Sequence, residues 1–154
     1  MKVFIASSFA YADPKISADR KRKIEEAASV LRARGFDVYV PHEHFIPDGE
    51  NLPNHDWAMM VAEEDKTNIL SSDAVVLLTY GKEKNNAGVA FESGFIAGAN
   101  LTREKPIILV LVKMNDAVES LMMWSSSHIQ VRGIESLKDL DFSSRSVLKD
   151  VILS

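Results

Sequence analysis

The sequence lacks three features, and each absence excludes a class of function. None of its 154 residues is cysteine, which excludes disulfides, thiolate nucleophiles and zinc sites built on thiolates. Basic residues are not in excess, since the formal net charge at pH 7 is −4, and we expect neither nucleic acid nor a membrane as partner. The first stretch, MKVFIASSFA, contains an apolar run that is too short for a signal peptide or a membrane span. A cytoplasmic location is therefore expected.

The composition is that of a globular protein, with 46% hydrophobic and 26% charged residues. No repeat, low-complexity tract or linker divides the chain, so we expect one domain over residues 1–154. Apolar runs such as DAVVLLTY and PIILVLV are typical of parallel strands buried on both faces. Strands are predicted at 3–6, 37–40, 73–80, 106–112 and 129–131. Helices are predicted at 16–34, ending at Gly35, at 56–70 with Asp56 as N-cap, at 88–99, near 117–122 and in the tail.

This alternation of strands and helices predicts an α/β fold. It corresponds to a doubly wound, flavodoxin- or Rossmann-like parallel sheet of about five strands with helices on both faces. Ligands of such sheets bind beyond the carboxyl ends of the strands. The segments that follow predicted strands include Ser7 and Ser8, residues 42–55 and residues 80–88. We expect these segments to meet at one edge of the sheet.

One acid stands out in the stretch NNAGVAFESG, residues 85–94. Glu92 is surrounded there by small and apolar residues, which would allow the helix to lie close to the sheet. A buried carboxylate without a partner costs several kcal/mol, so such an acid is normally paired, exposed or used. Most glutamates are exposed, but this context favours a functional acid.

Several motifs occur in a specific order along the chain. KVFIASSF is similar to an opening strand of the form KVYLAGPF, and Trp57 is followed eight residues later by Asp65. NAGVAFESG, residues 86–94, matches Asp-x-Gly-x-x-x-Glu-x-Gly except at its first position. Near the end, LMMW at 121–124 matches Leu-Met-x-Trp, and LKDL at 137–140 is similar to LKDF. Over nearly its whole length the chain thus resembles the nucleoside 2-deoxyribosyltransferase family.

The resemblance implies an enzyme that cleaves the N-glycosidic bond of 2′-deoxynucleosides and transfers the sugar to a free nucleobase. Glu92 would be the nucleophile that forms a covalent glycosyl-enzyme. Asp65 would be the general acid that protonates the leaving base, whereas Glu63 and Glu64 are interpreted as a solvated helix face. No cofactor is implied, and no metal is expected at His42 and His44, because no third ligand stands at a recognisable spacing.

The resemblance also implies substrate-binding positions, with several departures from the usual residues. Transferases usually have Asp at Asn86, and an amide cannot act as an acid near neutral pH. The remaining positions are Phe4 (frequently Tyr), His44 and Phe45 (often Asn-Gln), Trp57, Gly88, Ser120 (often Asn) and Met122. The segment around Met122 reaches a neighbouring subunit in the family, which implies a homo-oligomer with shared active sites.

Two alternatives to the transferase remain open. One is a hydrolase: related deoxynucleoside 5′-monophosphate N-glycosidases read GVGYELG where this chain reads GVAFESG. In such an enzyme water, not a base, accepts the sugar. Ser7 and Ser8 would hold a 5′-hydroxyl or 5′-phosphate or form an ordinary turn, and no Lys or Arg adjoins them in sequence. The other alternative is a domain that binds a nucleotide without cleaving it.

Overall fold

The computed structural model describes residues 1–8, 13–44, 51–81, 87–116 and 120–144. The strands are β1 (Lys2–Ser7), β2 (Asp37–Tyr39), β3 (Ala74–Thr79), β4 (Ile108–Lys113) and β5 (Ile129–Arg132). The helices are α1 (Pro14–Ala33), α2 (Asn54–Leu70), α3 (Ala87–Asn100) and α4 (Leu121–Ser126), with 3₁₀ turns at Pro41–Glu43 and Ile134–Leu137.

The strands form one parallel sheet in the order β2-β1-β3-β4-β5. This is the order of flavodoxin-like doubly wound folds, and it confirms the predicted fold class. Alternate residues of each strand belong to two separate cores. Val76 and Leu78 pack with α1 on one face, while Val75 and Leu77 pack with α3 and α4 on the other.

Local sequence explains where α1 begins and ends. The Asp13 carboxylate accepts a hydrogen bond from the Lys15 backbone N–H at 2.8 Å, and Pro14 occupies the first turn, where its missing N–H costs nothing. The helix ends before Gly35, which adopts a φ of 83°, a conformation that glycine tolerates. Gly35 therefore stops the helix as the sequence predicts.

Three predicted boundaries are wrong or fall partly outside the described residues. The N-cap of α2 is Pro53, not Asp56, because the Trp57 N–H already bonds to the Pro53 carbonyl at 3.1 Å. Helix α4 begins at Leu121, later than expected, and residues 117–119 lie outside the described residues. A 3₁₀ turn at Ile134–Leu137 replaces the start of the predicted tail helix, and residues 145–154 are not described. Among the described residues no helix is both long and apolar enough to span a membrane.

The topology places two helix starts at the carboxyl edge of the sheet. In a parallel sheet each connecting helix runs back from the carboxyl ends of the strands toward their amino ends. Helices α2 and α3 both do so, and they lie side by side on the face that contains Phe4 and Leu77. Side chains projecting from their facing surfaces therefore meet in the space between the two helices.

Candidate active site

A cavity of about 250 Å³ lies between α2 and α3. One stripe of α2 lines it at helical spacing, and Asp65 stands within this stripe, while α3 contributes Glu92 one turn after Gly88. A Cβ atom added at Gly88 would meet no heavy atom within 4 Å. The full lining consists of Trp57, Ala58, Val61, Ala62, Asp65, Lys66, Ile69, Gly88, Phe91 and Glu92.

Glu92 is an acid held mostly away from water. Burial, and secondarily the charge of Asp65, raises the pKa of Glu92 to about 8. No hydrogen bond or ion pair from the described ranges compensates its carboxylate. The Lys66 ammonium also lines the cavity but pairs with Glu63. Ionisation of Glu92 therefore costs free energy.

Asp65 is the second acid of the cavity. Burial, and secondarily the charge of the preceding Glu64, raises the pKa of Asp65 to about 6. Two carboxyl groups whose pKa values are both raised, and whose charges interact, titrate as a coupled pair. Between pH 6 and 8 this pair holds one proton. A cavity with one ionised and one protonated carboxyl group suits glycosidic bond cleavage.

Next to the cavity, three rings form a stack at the edge of the sheet. The Tyr39 ring lies between Phe4, with centroids 5.4 Å apart, and His44, with centroids 4.1 Å apart. The Tyr39 hydroxyl donates a hydrogen bond to the Glu64 carboxylate at 2.8 Å. Phe4 is fully buried in this arrangement and does not line the cavity. Its position favours a packing role over the predicted substrate contact.

The other predicted site residues lie at several places. Trp57 and Gly88 line the cavity, and 47% of the Trp57 surface is exposed. Ser7 ends β1 and Ser8 follows it; both are partly exposed, and the Ser7 hydroxyl lies 3.5 Å from the Ser8 carbonyl. Ser120 is the N-cap of α4, and Met122 on that helix is 75% exposed; neither lines the cavity. Phe45 and Asn86 lie outside the described residues.

Cationic side chains do lie at the carboxyl edge, although none is near Ser7 and Ser8 in sequence. Lys113 ends β4, shares strand parity with Leu109 and Leu111 on the α3 face, and is 4% exposed. On the opposite face, the Arg20 guanidinium lies 3.1 Å from the centre of the ring of Tyr80, which follows β3. Basic side chains that are distant in sequence from Ser7 and Ser8 therefore follow or end neighbouring strands of the same sheet.

Sequence reasoning missed several residues beside the acids. Glu64 was expected on a solvated face, but it is partly buried and bonded to Tyr39, so that expectation is wrong. Phe91 and Val61 also went unnoticed, although each stands one turn from a recognised residue. Across the described ranges no group of three His, Asp or Glu side chains is arranged to hold a metal ion.

The fold and the cavity define an α/β protein in which two carboxyl groups share a cavity between two helices on one face of a doubly wound sheet. The sequence pattern of the nucleoside 2-deoxyribosyltransferase family matches residues 3–133. The chain belongs to this family and is an enzyme of nucleoside 2-deoxyribosyltransferase type, as its motifs predicted.

A solved structure shows the same fold. The 2-deoxyribosyltransferase of the psychrotolerant bacterium Bacillus psychrosaccharolyticus superimposes with a TM-score of 0.75 at 22% sequence identity. The match covers 96% of this chain and 97% of that one. That protein is described as a biocatalyst for the industrial synthesis of antiviral and antitumoral nucleosides. No curated protein sequence matches the chain.

Proposed function

We propose that this enzyme cleaves the N-glycosidic bond of 2′-deoxynucleosides and transfers the 2-deoxyribosyl group to an acceptor nucleobase. The observation that carries the proposal is the pair formed by Glu92 and Asp65 in one cavity. Membership of the family supports it independently. A domain that only binds nucleotides has no need to keep a buried carboxyl group uncompensated.

In the first step, the Glu92 carboxylate attacks C1′ of the sugar while the bond from C1′ to the base nitrogen breaks. Asp65 donates its proton to the departing base, and Glu92 becomes a glycosyl ester. In the second step, a nitrogen of the acceptor base attacks C1′, Glu92 leaves as carboxylate, and Asp65 takes up the acceptor's proton. Two displacements at C1′ retain its configuration.

The pKa values define the reactive protonation state. The single proton that Glu92 and Asp65 share resides mainly on Glu92 in the free enzyme, because the pKa of Glu92, about 8, exceeds that of Asp65, about 6. The step needs the opposite arrangement, with Glu92 ionised and Asp65 protonated. A sugar that develops positive charge at C1′ would favour this arrangement, since it stabilises the neighbouring anion.

Substrate contacts follow from the placement of the remaining residues. Trp57 and Phe91 offer aromatic walls to a base, and Gly88 leaves room for the sugar. We assign Ser7, Ser8 and His44 to the carboxyl edge of the same site, and the resemblance to the family assigns Asn86 and Phe45 to substrate binding as well. Exposed apolar side chains on α2, α3 and α4 favour a homo-oligomer in which Ser120 and Met122 complete a neighbour's cavity; they include Trp57, Met60, Phe91, Leu121 and Met122.

A second candidate is hydrolysis of 2′-deoxynucleoside 5′-monophosphates. It is favoured by Lys113, a lysine at the end of β4 that is 4% exposed and shares its face of the sheet with Leu109 and Leu111, because a buried cation favours an anionic partner such as a phosphate. Asn86, which replaces the usual Asp of transferases, favours it as well. In this case water would attack the glycosyl ester in place of the acceptor base.

Chromatography of reaction mixtures tests these functions. The purified protein is incubated with deoxyinosine, with and without cytosine or adenine, and in parallel with deoxynucleoside monophosphates. A new deoxynucleoside that forms only with the acceptor base supports transfer. Free base with deoxyribose or its 5-phosphate, and no exchange, supports hydrolysis. Binding without turnover, equal in wild type and Glu92→Ala, would refute both and support a non-catalytic domain.

A further inference from the structure

Tyr39 connects the edge of the sheet to the helix that carries Asp65. It ends β2, is paired in register with Phe4 of β1, and projects onto the same face as Phe4. Its ring is nearly parallel to both neighbours, at 16° to Phe4 and 6° to His44. A ring held between two others has little freedom to rotate, so the direction of its hydroxyl group is fixed.

This hydroxyl group determines where the Glu64 carboxylate lies. The 2.8 Å hydrogen bond from Tyr39 to Glu64 is partly buried and joins two elements separated by 25 residues. A glutamate side chain on a helix surface otherwise samples several rotamers and extends into water. The hydrogen bond thus fixes the negative charge of Glu64, the residue before Asp65 on α2, and this charge contributes, after burial, to the raised pKa of Asp65.

Among the residues that the structure describes, no other charged group around Asp65 compensates the effect of the Glu64 charge on it. From α3 only Glu92 faces it, and on α2 the Lys66 ammonium is paired with Glu63. From the sheet, the Lys2 ammonium lies 5.8 Å from the centre of the Tyr39 ring. It bonds to Asn68, one turn after Asp65, and to Ser71, which follows the end of α2. No cation of the described residues pairs with Asp65 itself.

We propose that Tyr39 and Glu64 are positioning residues for Asp65: the Tyr39 hydroxyl fixes the Glu64 carboxylate, and the Glu64 charge favours the protonated form of Asp65, in which it acts as the acid. The inference rests on the proposed function, because it takes Asp65 as the acid. The O–H bond of the Asp65 carboxyl group breaks, and the leaving nitrogen of the base gains the proton. Glu64 and Tyr39 neither gain nor lose a proton. Both residues act through Asp65 without touching the substrate.

The first arm of the test is titration of the Asp65 carboxyl carbon by NMR in the wild type, Tyr39→Phe and Glu64→Gln. Phenylalanine preserves the ring stack and removes only the hydroxyl group. We expect Asp65 to lose its proton at lower pH in both variants. Glu104→Gln, the same charge change at an exposed site outside the cavity, should leave the titration unchanged. An Asp65 titration equal to wild type in both variants would overturn the proposal.

The second arm measures kcat/KM on two substrates. Deoxyinosine has a base that departs with the help of an acid, whereas 7-methyl-2′-deoxyguanosine carries a cationic base that needs none. We expect Tyr39→Phe and Glu64→Gln to lose about threefold to tenfold on deoxyinosine and to be unchanged on the methylated substrate. Equal losses on both substrates would indicate a merely structural role and refute the positioning role.

A double variant tests whether Tyr39 acts on Asp65 through Glu64 or independently of it. If Tyr39 acts only through Glu64, then Tyr39→Phe in combination with Glu64→Gln should be no slower than Glu64→Gln alone. Additive losses would contradict this. A wild type that cleaves neither substrate would refute the proposed function, while the NMR titration would still decide whether Tyr39 and Glu64 hold the proton on Asp65.

Discussion

Burial, and secondarily the charge of Asp65 on α2, raises the pKa of Glu92 on α3 in the cavity that the two acids share. The two acids therefore compete for one proton, and the occupancy of each depends on the other. This relationship determines how the enzyme should respond to pH and to loss of either carboxyl group.

Activity should follow a bell-shaped curve in pH. The reactive state holds one proton on the pair, so kcat/KM should fall below about pH 6 and above about pH 8. Both limbs belong to the pair and not to single residues. Initial rates with deoxyinosine across this range provide the measurement. A rate still rising above pH 9 would show that the proton is not required.

Glu92→Gln should abolish cleavage while the fold is retained. Glutamine has the same size but cannot act as the nucleophile, so we expect turnover to fall by about a thousandfold or more. Glu104→Gln serves as the matched control. Mass spectrometry should detect a glycosyl ester trapped on the wild type but not on the variant. This result would identify Glu92 as the nucleophile. Turnover at the wild-type rate would exclude Glu92 as the nucleophile.

The same substitution should alter stability in a pH-dependent way. The pKa of Glu92 is raised from 4.5 to about 8 in the folded state, so its protonation stabilises the fold below pH 4.5. That stability is lost as the pH rises through 8. At pH 9 we expect the free energy of unfolding of Glu92→Gln to exceed that of the wild type by on the order of 3 kcal/mol. Urea denaturation at pH 5 and pH 9 measures this, and an equal difference at both would contradict it.

Asp65→Asn should affect substrates according to their leaving group. Asparagine cannot donate a proton to the base, so cleavage of deoxyinosine should slow about a hundredfold or more. Cleavage of 7-methyl-2′-deoxyguanosine should change little. Steady-state kinetics of the two substrates, with Glu63→Gln as a neighbouring control, provide the comparison. A hundredfold loss on both would assign Asp65 to binding instead of acid catalysis.

Lys113→Met should separate the two classes of substrate. Methionine fills most of the lysine volume and removes its charge, so the buried site should tolerate it. If a 5′-phosphate approaches Lys113, the variant should lose about tenfold or more in kcat/KM on deoxynucleoside monophosphates and little on nucleosides. Unchanged kinetics on monophosphates would exclude Lys113 as a phosphate contact.

The fold was predictable because buried parallel strands are written as uninterrupted apolar runs, as in β3 and β4. Glu92 was recognisable since one acid stood among small residues. Glu64 was not, because three consecutive acids on a helix look alike until the phase of the helix against the sheet is known. Its partner Tyr39 lies 25 residues away, on a strand of only three residues. Local patterns contain no information on such a contact.

The open space beside Gly88 has a consequence for engineering. One wall of the cavity at this point is bare backbone, and an added methyl group would meet no atom within 4 Å. At Gly88 the width available to a substrate is thus not limited by a side chain of α3. Alanine or serine at this position would narrow the cavity without moving either helix. The enzyme therefore offers a single position at which substrate size can be graded independently of its two acids.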